Sequence, residues 1–343
     1  MVYGANGYTG ELIAAEAVAR GLKPVLAARR EAAVRPLAER LGLPWKAFSL
    51  DDPEAIARHL EGSAAVLHCA GPFSRTSRPM VDGCLRARAH YLDITGEIPV
   101  FESIFARQSE ARDAGVVLLP GVGFDVVPSD CLAALLKSRL PDATALDLAI
   151  IGFAGLSRGT LKTIVENLHA GGLVRERGAL FPIRNGERVK RVPLSTGERL
   201  CMAVPWGDLS TAYRSTGIPD IVTYAAVPAG LVTLTRLSRP FLGLFARPGL
   251  QRFLTRRIEK RTAGPDEIAR NTVRVTLWGE VRNAAGQHAR AELEVPEPYA
   301  LTASAAIECV TRLLSAPREG GVLTPSMAFG ANLITDLPGV ILR

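Results

Sequence analysis

Short apolar runs alternate with amphipathic stretches through the first 130 residues, and this alternation predicts strands and helices in turn. Strands are expected at 2–3, 24–28, 46–50, 64–69, 91–93 and 116–119. Helices are expected at 10–20, 31–41, from 53 onward, at 79–88 and at 99–113. In 31–41, Val34, Leu37 and Leu41 recur at helical spacing on one face. Asp52 followed by Pro53 reads as an N-cap with proline at the first helical position. Six apolar runs separated by helices predict an α/β fold, a Rossmann doubly wound parallel sheet.

The pattern changes from Ala145 onward. Residues 147–153 read as a strand and 157–173 as a helix, where Gly159 and Thr160 meet substrate or simply cap. Residues 271–281 and 289–295 alternate around Asn283-Ala284-Ala285-Gly286, a hairpin signal, and 299–314 reads as a helix. Strands and helices without βαβ regularity predict an inserted α+β domain. The expected division is a dinucleotide-binding domain at 1–135, a substrate or oligomerisation domain at 136–315, and a segment at 316–343 that returns to the first domain.

The loop Gly4-Ala5-Asn6-Gly7-Tyr8-Thr9-Gly10 lies between a strand and a helix, where a pyrophosphate cradle belongs. Gly4 permits a tight turn, Gly7 lets backbone approach the pyrophosphate, and Gly10 lets the helix pack on the strand. Asn6, Tyr8 and Thr9 complete the cradle, and the helix N-terminus offers N–H groups to the phosphates. An NAD site wants a carboxylate at the end of the second strand. Arg29 and Arg30 stand there instead, and two guanidiniums suit the 2′-phosphate of NADP. Asp51 reaches the adenine or its ribose, or is an ordinary cap. Cys69-Ala70-Gly71-Pro72-Phe73 ends the fourth strand and reads as a loop against the ribose or nicotinamide, or as a plain turn. Cys69 itself reads as a small core residue rather than a nucleophile.

For proton transfer the candidates are Asp93, Asp125 and Ser129, past the fifth and sixth strands, with Glu97 nearby. Asp93 and Asp125 read equally well as loop or helix caps, and Ser129 reads better as a cap. Tyr91 reads as packing. No Ser-Tyr-Lys or His-Asp arrangement is legible.

Composition narrows the partners. The chain has 343 residues, 41 basic and 34 acidic, for a net charge of +7. That mild excess suits an anionic cofactor or membrane surface, and no aromatic-interleaved basic stripe points to nucleic acid. Five scattered cysteines without a CxxC, and histidines without metal-ligand spacing, argue against disulfides and zinc and for a cytoplasmic setting. The start lacks the pattern of a signal peptide. Only three residues precede Gly4, whereas strands usually run ~5–6 residues, so the natural protein is expected to begin upstream of Met1. The uncharged run 221–235 contains Pro228 and falls short of the ~20 residues of a spanning helix.

Residues 231–261 are distinctive. Apolar Leu237, Phe241, Leu244, Leu250 and Phe253 alternate with Arg236, Arg239, Arg247, Arg252, Arg256, Arg257, Lys260 and Arg261, against the single acid Glu259. The stretch reads as a peripheral membrane contact, or as a lid or homodimer face.

Several segments together resemble the saccharopine dehydrogenase-like reductases, a family that includes trans-acting enoyl reductases. They are the loop from Tyr3 to Gly10, Cys69-Ala70-Gly71-Pro72-Phe73, Tyr91-Leu92-Asp93-Ile94-Thr95-Gly96-Glu97, the run from Gly121 to Asp130, Gly320-Gly321-Val322-Leu323-Thr324-Pro325, and Ala328-Phe329-Gly330. The resemblance implies pyridine-nucleotide chemistry, usually with NADP(H), and a second domain over the active site. Hydride transfer to or from a C=C, C=O or C=N group of a small-molecule or lipid-like substrate is the expected reaction. Saccharopine-type amino-acid dehydrogenation and a non-catalytic NADP(H) sensor are the alternatives.

Overall fold

The computed structural model describes residues 1–152, 171–239, 249, 253, 268, 272–316 and 318–343. The first stretch runs β1 (Val2–Tyr3), α1 (Tyr8–Ala19), β2 (Leu26–Ala28), α2 (Glu31–Leu41), β3 (Trp45–Ala47), α3 (Pro53–Leu60), β4 (Ala65–His68), α4 (Phe73–Ala87), β5 (His90–Asp93), α5 (Ile98–Phe105), α6 (Gln108–Ala114), β6 (Val117–Leu119) and α7 (Val127–Arg139). Asp52 N-caps α3, accepting from the Glu54 amide at 2.9 Å, as its sequence predicts.

Two expectations are corrected here. The helix expected from Pro79 begins at Phe73 and carries Pro79 inside it. Its first turn is anchored by Thr76, whose hydroxyl donates to the Ala70 carbonyl at 2.6 Å, and by the Glu97 carboxylate, which accepts from the Phe73 and Ser74 amides. The helix expected at 99–113 is two helices, α5 and α6, with Arg107 between them.

The chain then forms β7 (Ala145–Ile151), β8 (Gly172–Glu176), β9 (Ala179–Ile183), β10 (Val189–Val192), β11 (Arg199–Ala203), α8 (Asp208–Thr216), β12 (Asp220–Ala226), α9 (Ala229–Ser238), β13 (Arg274–Arg282) and β14 (His288–Pro296). It ends with α10 (Pro298–Ser315), β15 (Gly321–Val322), α11 (Pro325–Phe329) and β16 (Ile341–Leu342). Most of the helix expected at 157–173, with Gly159 and Thr160, lies outside the described residues. Its last two positions begin β8 instead.

Two compact units result, Met1–Cys131 with Pro298–Pro338, and Leu132–Glu297 with Gly339–Arg343. Among the described residues the first holds a seven-stranded sheet in the order β15-β6-β5-β4-β1-β2-β3. Every pairing in it is parallel. The order reverses between β1 and β4, the switch point where ligands bind in such sheets. Its core includes Tyr91, Met80, Ile56 and Leu118. The C-terminal return begins earlier than residue 316. Helix α10 packs on α1, where Arg20 reaches Glu308 at 2.9 Å and the Ser304 hydroxyl at 2.8 Å.

The second unit's sheet runs β10-β11-β12-β7-β13-β14-β16, with β8 and β9 off that path. Apart from the parallel β7–β12 pair its neighbours are antiparallel. One face carries Trp278, Tyr224 and Cys201. In the same sheet Lys190 of β10 bonds Asp147 of β7 at 2.6 Å and Glu280 of β13 at 2.7 Å.

Candidate active site

Three glycines shape the loop after β1, for different reasons. Gly4 has a φ of 82°, and a Cβ there would fall 2.7 Å from the Ala70 amide nitrogen, in the loop after β4. A Cβ on Gly10 would fall 2.3 Å from the Gly4 carbonyl oxygen. The chain's own packing therefore requires both. Gly7 differs: its φ is −82°, and a Cβ would meet only the Gly4 oxygen at 3.4 Å, an ordinary contact. Nothing among the described residues demands glycine at 7, whereas a phosphate approaching from outside does. Asn6 and Gly7 are exposed at the rim. Tyr8 and Thr9 open α1, no side chain caps that turn, and the Tyr8 ring meets Tyr299 of α10 edge-on at 5.1 Å. The N-terminal end of the helix dipole favours an anion here.

Arg29 and Arg30 follow β2 and are exposed. Nearby, Arg35 is held by Glu31 and Glu39, and Arg40 by Glu11. Among the described residues no carboxylate pairs with Arg29 or Arg30, which leaves both guanidiniums for a ligand. Burial lifts the pKa of Tyr3 to about 12, with Arg29 pulling it down and Asp51 pushing it up, so both charges bear on the foot of the cradle. Asp51 is exposed beside the helix-capping Asp52.

The loop from Cys69 to Phe73 faces the glycine loop through the Gly4–Ala70 contact, and its Gly71–Pro72 peptide is cis. Burial pushes the Cys69 thiol far up, in keeping with a packing role. Sequence reasoning passed over His68. It is fully buried at the end of β4, its Nε2 is 3.0 Å from the Thr76 hydroxyl, and the Phe73 ring stands edge-on to it at 5.5 Å. Burial lowers its pKa to about 3, so it stays neutral. The available signal was a lone histidine closing an apolar strand.

The three candidates for proton transfer separate. Asp93 is fully buried and accepts from the Tyr91 hydroxyl at 2.6 Å, the Thr95 amide at 3.0 Å and the Gly121 amide at 2.8 Å. It clamps the end of β5 to that of β6. Burial lifts its pKa to about 6 against the pull of those bonds. Ser129 lies inside α7 rather than capping it, and donates to the Val126 carbonyl at 3.1 Å. Asp125 is half-buried, and a Cβ on Gly96 would stand 2.9 Å from its Oδ2. Burial lifts its pKa to about 6. The loops bearing Phe73, Glu97 and Asp125 thus meet along the C-terminal edge of the sheet. Among the described residues no cluster of His, Cys, Asp and Glu could hold a metal ion, and all five cysteines are free.

Residues 1–119 match the model of the saccharopine dehydrogenase NADP binding domain. The cofactor is accordingly NADP, and the residues present are compatible with it: Arg29 and Arg30 at the β2 tip are exposed and pair with no carboxylate among the described residues, and Gly7 leaves the rim of the loop open. Over the full chain, a saccharopine dehydrogenase-like oxidoreductase of Bos taurus is 23% identical across 411 aligned residues, covering 98% of this chain and 94% of that protein. A putative trans-acting enoyl reductase of Mycobacterium tuberculosis is 32% identical over 184 residues, 49% of this chain and 43% of its own length. Among solved structures, apo saccharopine dehydrogenase (L-Glu forming) from Saccharomyces cerevisiae covers 100% of this chain and 98% of its own at a TM-score of 0.68 and 12% identity. Homospermidine synthase from Legionella pneumophila in complex with NAD covers 100% and 90% at 0.61 and 12%. Those structural likenesses establish the shared fold.

Proposed function

We propose that this saccharopine dehydrogenase-like protein is an NADP(H)-dependent oxidoreductase that moves a hydride to or from a C=C, C=O or C=N bond of an acyl or lipid intermediate. The observation that carries the cofactor half is Gly7, a glycine with no internal reason on the rim of the cradle. The bound dinucleotide supplies the hydride. Gly4, Gly7 and Gly10 with the first turn of α1 would hold its pyrophosphate, and Arg29 and Arg30 its 2′-phosphate. The loop from Cys69 to Phe73 would border the ribose and nicotinamide.

Reducing a polarised double bond also requires a proton. Asp125 suits that task, because a carboxyl with a pKa near 6 exchanges its proton readily at neutral pH. Asp93 instead keeps the loop carrying Asp125's neighbour Gly96 in place. The similarity to enoyl reductases supports an acyl or lipid acceptor.

The test is NADPH oxidation followed at 340 nm with 2-enoyl thioesters, 2-oxo acids with amines, and saccharopine-type amino acids. The reading expects turnover with an enoyl or acyl substrate, and a loss of roughly a hundredfold in kcat for Asp125→Asn. Turnover confined to amino-acid substrates, or none in a protein that binds NADPH, would contradict it.

A further inference from the structure

His68 closes β4 with its ring fully buried. The rings of Tyr3, Phe73 and Tyr91 surround it at centroid distances of 5.6, 5.5 and 6.2 Å. Its Nε2 lies 3.0 Å from the Thr76 hydroxyl. That hydroxyl has one proton, and its other neighbours, the Ala70 carbonyl at 2.6 Å and the Pro72 carbonyl at 3.1 Å, can only accept. The Thr76 proton therefore goes to a carbonyl, with Ala70 the shorter contact, and His68 donates from Nε2 to the Thr76 oxygen. The Nδ1 of His68 is then a bare acceptor, buried and without a hydrogen bond among the described residues. Burying an unpaired acceptor is costly, and an apolar side chain at this place would avoid it. What the imidazole contributes is its Nε2 donor.

We propose that His68 is a positioning residue for the nicotinamide end of the cofactor, acting through Thr76 on the Ala70 carbonyl. Ala70 is held from two sides. Its amide nitrogen lies 2.7 Å from where a Cβ on Gly4 would stand, so it abuts the pyrophosphate loop, and its carbonyl accepts from Thr76. Just before it, the Cys69 amide donates to the Tyr3 carbonyl at 2.7 Å. At the far end of the same loop the His68 ring meets Phe73 edge-on. One buried imidazole thus props the loop at Phe73 and, through Thr76, at Ala70. A loop already held in its bound path loses less freedom when the dinucleotide arrives. Burial keeps the ring neutral, with a pKa of about 3, so the donor does not change near neutral pH. The role rests on NADP as the cofactor and on this loop bordering its ribose and nicotinamide.

The experiment is calorimetric titration of the full chain with NADPH and with adenosine 2′,5′-bisphosphate, the part of the cofactor that lacks the nicotinamide, on variants whose folding is checked by circular dichroism. Thr76→Val keeps the shape and removes the hydroxyl, and His68→Phe keeps a ring and removes the donor. Each should weaken NADPH binding by roughly five- to tenfold, the worth of one hydrogen bond, and leave bisphosphate affinity unchanged. Thr76→Ser, which restores the hydroxyl, should bind NADPH like wild type. Combining His68→Phe with Thr76→Val should add little, because both act through one chain of hydrogen bonds. NADPH affinity that survives both single substitutions in folded protein overturns the proposal. So does an equal loss for NADPH and the bisphosphate, which would make His68 a packing residue of the whole domain. Wild-type protein that binds neither ligand would overturn the cofactor assignment itself, and the proposal with it.

Discussion

Gly10 and Gly4 are locked together: a Cβ on Gly10 would press to 2.3 Å from the Gly4 carbonyl oxygen, so helix α1 rests directly on the turn that follows β1. Gly10→Ala is therefore an overpacking change, expected to cost roughly 1–3 kcal/mol and lower the melting temperature. Gly7→Ala meets only ordinary contact inside the chain. It should leave the melting temperature nearly unchanged and weaken NADPH binding at least tenfold. Paired melts and NADPH titrations of the two variants would separate these effects.

The Asp93 carboxylate ties three donors together, and removing it leaves the Tyr91 hydroxyl and the Thr95 and Gly121 amides without that acceptor. Asp93→Ala should destabilise by about 3 kcal/mol, read by denaturant titration.

A pH effect follows from the same group. Its folded pKa, near 6, lies above the ordinary aspartate value, so the folded state binds its proton more tightly than the unfolded chain. The resulting stability is full below about pH 4, the ordinary aspartate range, and is lost as pH rises through 6. Asp125 acts in the same direction. Between pH 5 and 7 the wild-type melting temperature should fall more steeply than that of the Asp93→Asn, Asp125→Asn double variant. Parallel slopes would refute this.

The parallel sheet was legible because each strand is a short apolar run between helices with readable starts, such as Asp52-Pro53. Pro79 misled because a proline inside a helix removes one hydrogen bond, and here Thr76 and Glu97 anchor the turns before it. The glycine loop was legible as a cradle, but only three-dimensional contact separates the two glycines that packing requires from the one it does not. His68 is hard to read because a lone histidine closing an apolar strand is a weak signal for a buried, neutral imidazole. Helix α10 was assigned to the wrong unit because sequence order places it after β14, while Arg20, Glu308 and Ser304 bind it to α1.

In the second unit, burial pushes the Glu280 carboxyl up, but hydrogen bonds from Lys190 and Arg290 outweigh that and hold it at about 2. A folded pKa below the ordinary glutamate value gives stability that is present above about pH 4.3 and lost as pH falls through 2. Glu280→Gln should lower stability at pH 7 by roughly 1–2 kcal/mol, a figure discounted for the partial exposure of its arginine partners. The gap to wild type should narrow at pH 2 to 3. A constant gap across that range would contradict the assignment.

The most direct test of the central claim is fluorescence titration with NADPH and with NADH, on wild type and on Arg29→Ala with Arg30→Ala. Wild type should bind NADPH at least tenfold more tightly than NADH, and the double substitution should abolish that preference with NADH affinity unchanged, as loss of about 1.5–3 kcal/mol per charge-assisted phosphate bond requires. Failure to bind either nucleotide, or an NADPH preference that survives the loss of both arginines, would contradict the account.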